Sequence, residues 1–233
     1  MFSPNSIAKA AVFVILLVIP ATIYLYFIAQ LKSLPKLGYF GPRDAISKMV
    51  DGALVTDTLY HEVPEFSFIN QNNQVITDNH FKGRVYVADF FFASCQSICP
   101  IMSSQLERVQ AKYRDNNQLG ILSHTVDPES DSVAVLRSYA SLHEALDNKW
   151  EFITGNKKEI YEIARKGYFV SASEGDGGEE DFIHSPYFVL VDTKKHLRGF
   201  YDGTDSLEVN KLLVDIDILL AESKKQNKKT QQP

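Results

Sequence analysis

Cysteine is almost missing from this chain, with two residues in 233, so a disulfide-knit scaffold is excluded and stability must come from a packed core. Positive charge is short as well: 24 Lys and Arg stand against 29 Asp and Glu, a formal net charge of −5. That balance excludes bulk nucleic-acid binding, because phosphate recognition needs a basic surface. Glycine and proline, at 12 and 9 residues, are too few for a collagen-like or low-complexity chain, and no internal repeat is visible. What remains, with 45% hydrophobic residues, suits one sizeable globular domain with appendages.

One stretch has no charge at all. Between Lys9 and Gln30 runs Ala-Ala-Val-Phe-Val-Ile-Leu-Leu-Val-Ile-Pro-Ala-Thr-Ile-Tyr-Leu-Tyr-Phe-Ile-Ala, which as a helix rising about 1.5 Å per residue covers a hydrocarbon core of about 30 Å. Neither a clear small-x-small exit nor a Leu-x-x-Cys lipobox follows it, so residues 10–29 read as an uncleaved transmembrane anchor behind a short stub, 1–9. Pro20 introduces a kink, and Tyr24 and Tyr26 suit the interface. Lys9 on one side and Lys32, Lys36 and Arg43 on the other do not settle orientation. The short stub favours a signal anchor with the domain on the exported, periplasmic-type side. Residues 30–60, with Pro35, Gly38, Gly41 and Pro42, read as a spacer, 61–222 as the folded domain and the Lys- and Gln-rich 223–233 as a disordered tail.

Within the domain, Glu65-Phe-Ser-Phe-Ile and Gln74-Val-Ile-Thr flank the polar Asn70-Gln-Asn-Asn73 as a hairpin. The largely apolar Arg84–Phe92 reads as a strand buried on both faces. Met102, Leu106, Val109 and Tyr113 recur at helical spacing after it. A second strand (119–126), a helix through Val133, Leu136 and Tyr139, a third strand (149–153) and a helix opened by Asn156 follow. A hairpin of 187–192 and 197–201 precedes a last helix, whose Asp205-x-x-Glu208 has the form of a capping box. The order βαβαβα and then ββα implies an α/β fold, a mixed central sheet with helices on both faces. Order and position resemble the thioredoxin fold.

Both cysteines sit in Cys95-Gln-Ser-Ile-Cys99-Pro100, between the buried strand and its helix. Open α/β sheets place their sites at the carboxyl ends of strands, and a helix N-terminus stabilises thiolates. Both thiols are therefore expected to ionise near neutral pH. Residue chemistry leaves three uses open: a redox couple, a soft-metal site or a staple. Thioredoxin-type enzymes carry Cys-x-x-Cys, whereas here three residues separate the thiols and leave room for a metal.

Several segments then act together: the aromatic strand before Cys-x-x-x-Cys-Pro, Thr125-Val-Asp-Pro-Glu129, Trp150-Glu-Phe-Ile-Thr-Gly155, His184 before Phe-Val-Leu-Val-Asp, and Arg198-Gly-Phe-Tyr-Asp-Gly-Thr204. In that order, over about residues 64 to 220, the chain resembles the Sco/SenC family, membrane-anchored copper chaperones of thioredoxin fold. The resemblance implies copper ligation by Cys95, Cys99 and His184, delivery to the dinuclear copper centre of cytochrome c oxidase subunit II, and a copper donor protein and a thiol reductant as further partners. Ligand chemistry agrees, since thiolates suit Cu(I) and imidazole accommodates Cu(I) or Cu(II); zinc remains chemically possible. Asp127 occupies the family's acidic position and reads either as an outer residue positioning a ligand or as a turn-forming Asp-Pro. His124 reads as structural. Gln96 departs from the proline that many relatives carry there, and Glu174–Asp181, rich in glycine and carboxylates, reads as a mobile loop.

The competing reading is a thiol–disulfide reductase with Cys95 attacking and Cys99 resolving. Peroxide reduction by the same thiolate is a third, and a non-catalytic anchor module locked by a disulfide is the plainest. Membrane lipid is expected as a partner through the anchor, and nucleic acid is not.

Overall fold

The computed structural model describes residues 4–31, 35–50, 53–170 and 185–230. The chain divides into two units, 1–36 and 37–233. The first is helix α1, Pro4–Leu31, with Pro20 inside it. Its side chains are described over 13–26, a stretch shorter than the roughly 20 residues a span requires. Among the described residues no helix is long and apolar enough to cross a membrane.

The second unit holds a seven-stranded mixed sheet. Its strands are β3 (Ser67–Asn70), β4 (Val75–Thr77), β5 (Val85–Phe91), β6 (Leu119–Thr125), β7 (Trp150–Thr154), β8 (Tyr187–Val191) and β9 (Leu197–Asp202), in the order β4-β3-β7-β6-β5-β8-β9. The three central strands β5, β6 and β7 run parallel, and β3 and β8 flank them antiparallel. All seven residues of β5 and of β6 are buried, as parallel strands covered on both faces must be. Helices α2 (Cys99–Lys112), α3 (Val133–Leu142) and α5 (Ser206–Thr230) pack on one face through Met102, Leu106, Leu136, Val209, Leu212 and Ile216. Helix α4 (Lys157–Glu162) and the π-helical turn after it, Ile163–Gly167, cover the other through Ile160, Tyr161, Ile163 and Ala164.

Local signals act as the residues dictate. Asn156 caps α4 by accepting the Glu159 N–H at 3.3 Å, and Asp205 caps α5 by accepting the Leu207 N–H at 2.8 Å. The reciprocal half of that capping box does not form: Glu208 pairs with Lys211, and the Asp205 N–H goes to Asp202 O at 3.1 Å.

Two stretches differ from the sequence reading. Within the expected spacer, β1 (Arg43–Val50) and β2 (Ala53–Tyr60) pair antiparallel as a separate two-stranded ribbon. Its register, Arg43↔Tyr60 to Val50↔Ala53, puts Asp44 and Asp57 among aliphatics on one face and Thr56 and Thr58 beside Met49 and Leu54 on the other, so no clean alternation announces it. Helix α5 runs to Thr230, into the stretch read as a tail; the Lys and Gln residues there are good helix formers and simply continue it.

Candidate metal centre

Strand β5 brings the chain to the site and α2 begins it. The last rung of the central ladder joins Val126 N–H to Phe91 O at 2.8 Å, and the chain then turns, with Cys95 N–H donating to Phe92 O at 3.1 Å. Cys99 is the first residue of α2, with Pro100 in the first turn, where no intrahelical N–H bond is forfeited. Both cysteines are free thiols and both are buried, Cys95 at 8% exposure and Cys99 at 3%.

The two thiols are not equivalent. Burial pushes Cys95 up, but hydrogen bonds from the Ser97 hydroxyl, the Cys99 thiol and the backbone N–H groups of Cys99 and Ser97 outweigh it, and its pKa falls to about 7. The Ser97 Oγ contact is 3.5 Å. Burial likewise pushes Cys99 up, and there the hydrogen bond to Cys95 adds to the effect, so that its pKa rises to about 12. The expectation that both ionise near neutrality is therefore corrected: desolvation beats the helix N-terminus at Cys99. Near neutral pH Cys95 is poised between thiol and thiolate, while Cys99 keeps its proton. A soft cation entering between them would displace that proton.

Beneath the pair lies an acid that the sequence reading missed. Asp89, 2% exposed, sits in β5 and accepts a hydrogen bond from Ser123 Oγ, which in turn accepts from Trp150 Nε1 at 2.8 Å. Burial, only partly countered by Ser123, lifts its pKa to about 7. The signal was present as a lone carboxylate in an otherwise apolar strand, Val-Tyr-Val-Ala-Asp-Phe-Phe. Nearby, Tyr139 OH and Ser103 Oγ share a 2.9 Å hydrogen bond, and the Tyr139 ring stacks on Phe91 at 5.0 Å.

Of the remaining sequence candidates, Asp127 engages through its backbone: its N–H donates to Thr125 Oγ1 at 3.0 Å, and its carbonyl accepts from Ser130 and Asp131. The carboxylate that reaches the turn before Cys95 belongs instead to Asp131, which accepts the Ala93 N–H at 3.0 Å. His184 and the Glu174–Asp181 loop lie outside the described residues. The chain resumes at Ser185, and because β8 runs antiparallel to β5, it resumes at the end of the sheet where β5 ends. His124 is fully buried on the opposite face of the sheet, stacked on Phe90 at 4.6 Å. Among the described residues no group of three or more His, Cys, Asp or Glu is placed to hold a metal ion. Among the described residues the dithiol supplies two soft donors.

The sequence pattern of the SCO1/SenC family matches residues 56–217. The chain belongs to the SCO1/SenC family. It is 31% identical over 167 residues to the SCO1 protein homolog of Bacillus subtilis strain 168, covering 71% of this chain and 86% of that relative. Among solved structures it is similar to BsSco, described as a member of the Sco family of cytochrome c oxidase assembly proteins with a disulfide switch, at 30% identity, a TM-score of 0.58, and 67% and 92% coverage of the two chains. Bradyrhizobium japonicum ScoI, solved with copper bound, shares the fold at 23% identity and a TM-score of 0.51, with 68% and 99% of the chains covered. The Sco fold here is thioredoxin-like, a central mixed sheet with flanking helices.

Proposed function

We propose that this Sco-family protein is a membrane-anchored copper chaperone that binds copper through Cys95, Cys99 and His184 and passes it to the dinuclear copper centre of cytochrome c oxidase subunit II. The observation that carries this reading is the pair of free, buried thiols at the β5–α2 junction, hydrogen-bonded to each other, with Cys95 ionising near neutral pH. Two thiolates suit Cu(I), and a distal imidazole would complete a three-ligand set open to an incoming thiol. Copper then leaves by ligand exchange. Relatives carry matching names: one structure holds copper, and another belongs to oxidase assembly proteins. The apolar run at 10–29 supports a single-pass anchor with the 61–222 domain on the exported side. A copper donor protein loads the site and a thiol reductant keeps it open.

Anaerobic titration of the reduced full-length protein in detergent with Cu(I) tests this. One ion per chain, weakened in His184→Ala and transferable to copper-free subunit II, is the expected result. A reduced wild-type protein that binds no stoichiometric copper rejects it.

The inequality of the thiols favours one second reading, a thiol–disulfide reductase. The Cys95 thiolate would attack a disulfide of the recipient and release one of its thiolates. The Cys99 thiol, losing its proton, would then displace the other, leaving the recipient reduced and Cys95–Cys99 oxidised, to be restored by the thiol reductant. Loss of function in His184→Ala with dithiol–disulfide exchange retained favours copper delivery over this reading.

A further inference from the structure

The geometry points to Asp131 as the residue that positions the Cys95 turn, by extending the central ladder past the end of the strands with a side-chain oxygen. Backbone pairing between β5 and β6 ends at the Val126 N–H to Phe91 O bond. Two residues further along the β5 side, the Ala93 N–H donates to a side chain rather than to a strand carbonyl, the Val126 carbonyl being taken by Tyr161 OH at 2.8 Å. Asp131 Oδ2 is the acceptor, at 3.0 Å. The same oxygen accepts the Thr125 hydroxyl, and Thr125 Oγ1 accepts the Asp127 N–H at 3.0 Å. The Asp131 N–H returns to Asp127 O at 2.9 Å. One carboxylate thus joins the end of β6, the Asp127–Asp131 turn and the Phe92–Cys95 turn.

This carboxylate is not spent on capping the helix that follows it. Ser132 does that, accepting the Val135 N–H at 3.4 Å. Asp131 is 2% exposed, so both of its donors come from protein groups, and neither is readily replaced by solvent if the side chain is removed. The Ala93 N–H lies immediately inside the turn closed by Cys95 N–H and Phe92 O. Freeing it lets that turn shift and with it the spacing of Cys95 from Cys99. Outer partners of this kind commonly set ligand affinity without touching the metal.

The inference rests on Cys95 and Cys99 acting together, as the proposed function requires. It is tested on the reduced full-length protein with Asp131→Ala and Asp131→Asn, reading Cu(I) affinity by competition with a chelator and, separately, the equilibrium of the Cys95–Cys99 disulfide in glutathione buffers. Asp131→Ala is expected to weaken Cu(I) about tenfold and to make the disulfide less favoured severalfold. Asp131→Asn, which keeps an oxygen able to accept both bonds, restores both readings to near wild type. Should Asp131→Ala fail to fold by circular dichroism, Thr125→Val removes one of the two donors and shifts both readings the same way by less. Wild-type values in Asp131→Ala, or in Thr125→Val where that variant is needed, overturn the inference, as does an Asn variant as impaired as Ala. If the wild-type protein binds no copper, the proposed function fails, while the glutathione equilibrium still decides the role of Asp131.

Discussion

The two faces of the central sheet are made from the same strands and differ only in which alternate residue they receive, yet one face carries linked buried carboxylates and the other a neutral histidine packed among aromatic rings. On β6, Ser123 joins Asp89 and Trp150 and Thr125 joins Asp131, all on the side of the dithiol. His124, between them, turns to the aromatic side, among Phe66, Phe68, Phe90 and Tyr168. Its Nδ1 lies 3.2 Å from Asp89 O, and its Nε2 has no partner among the described residues. Burial drives its pKa down to about 3, so it stays neutral. A histidine in the strand next to the dithiol loop is thereby turned away from the thiols by a period of two.

Substitutions on the two faces sharpen this contrast. Phe90→Ala, which opens a cavity on the aromatic side, is expected to cost about 3–5 kcal/mol of stability while leaving one copper per chain where the protein is still folded. Urea unfolding and metal analysis check it, and loss of copper in the folded variant would break the separation of the faces.

Asp89 on the dithiol side predicts a pH dependence instead. Unfolded, an aspartate ionises near 4; folded, Asp89 keeps its proton up to about 7. The folded state binds more protons in that window, so the contribution is complete below about pH 4 and is lost as pH rises through 7, by up to about 4 kcal/mol. Asp89→Asn, which still accepts from Ser123, is expected to be more stable than wild type at pH 8 and no more stable at pH 4. Equal urea midpoints at both pH values would contradict this.

The smallest effect belongs to His124→Phe. It removes the unpartnered Nε2 and keeps the stack on Phe90, and a gain of about 1 kcal/mol is expected with copper affinity unchanged. A shift in copper affinity would bring that ring back into the site.

Much of this contrast was legible in the chain. The apolar Val85–Phe91 run and the helical spacing after Cys99 placed the dithiol at a strand-to-helix junction, and Asp205 announced the start of α5. The unequal roles of the thiols, Cys95 attacking and Cys99 resolving, were legible, but the rise of the Cys99 pKa was not, because it depends on the burial of Cys99 rather than on its place in a helix turn. Asp131 was hidden for a related reason. Asp127 and Asp131 are alike as letters, and only the return of the chain after β6 decides which carboxylate meets the Ala93 N–H. The ribbon of β1 and β2 escaped because its faces mix polar and aliphatic residues and its edges join no larger sheet.

The proposed function requires the Cys95–Cys99 pair to hold copper. X-ray absorption at the copper edge of the loaded full-length protein tests it most directly. Two sulfur neighbours in wild type, falling to one in Cys95→Ala, are the result this account predicts; a spectrum of nitrogen and oxygen neighbours alone, or one unchanged by replacing both cysteines, would contradict it.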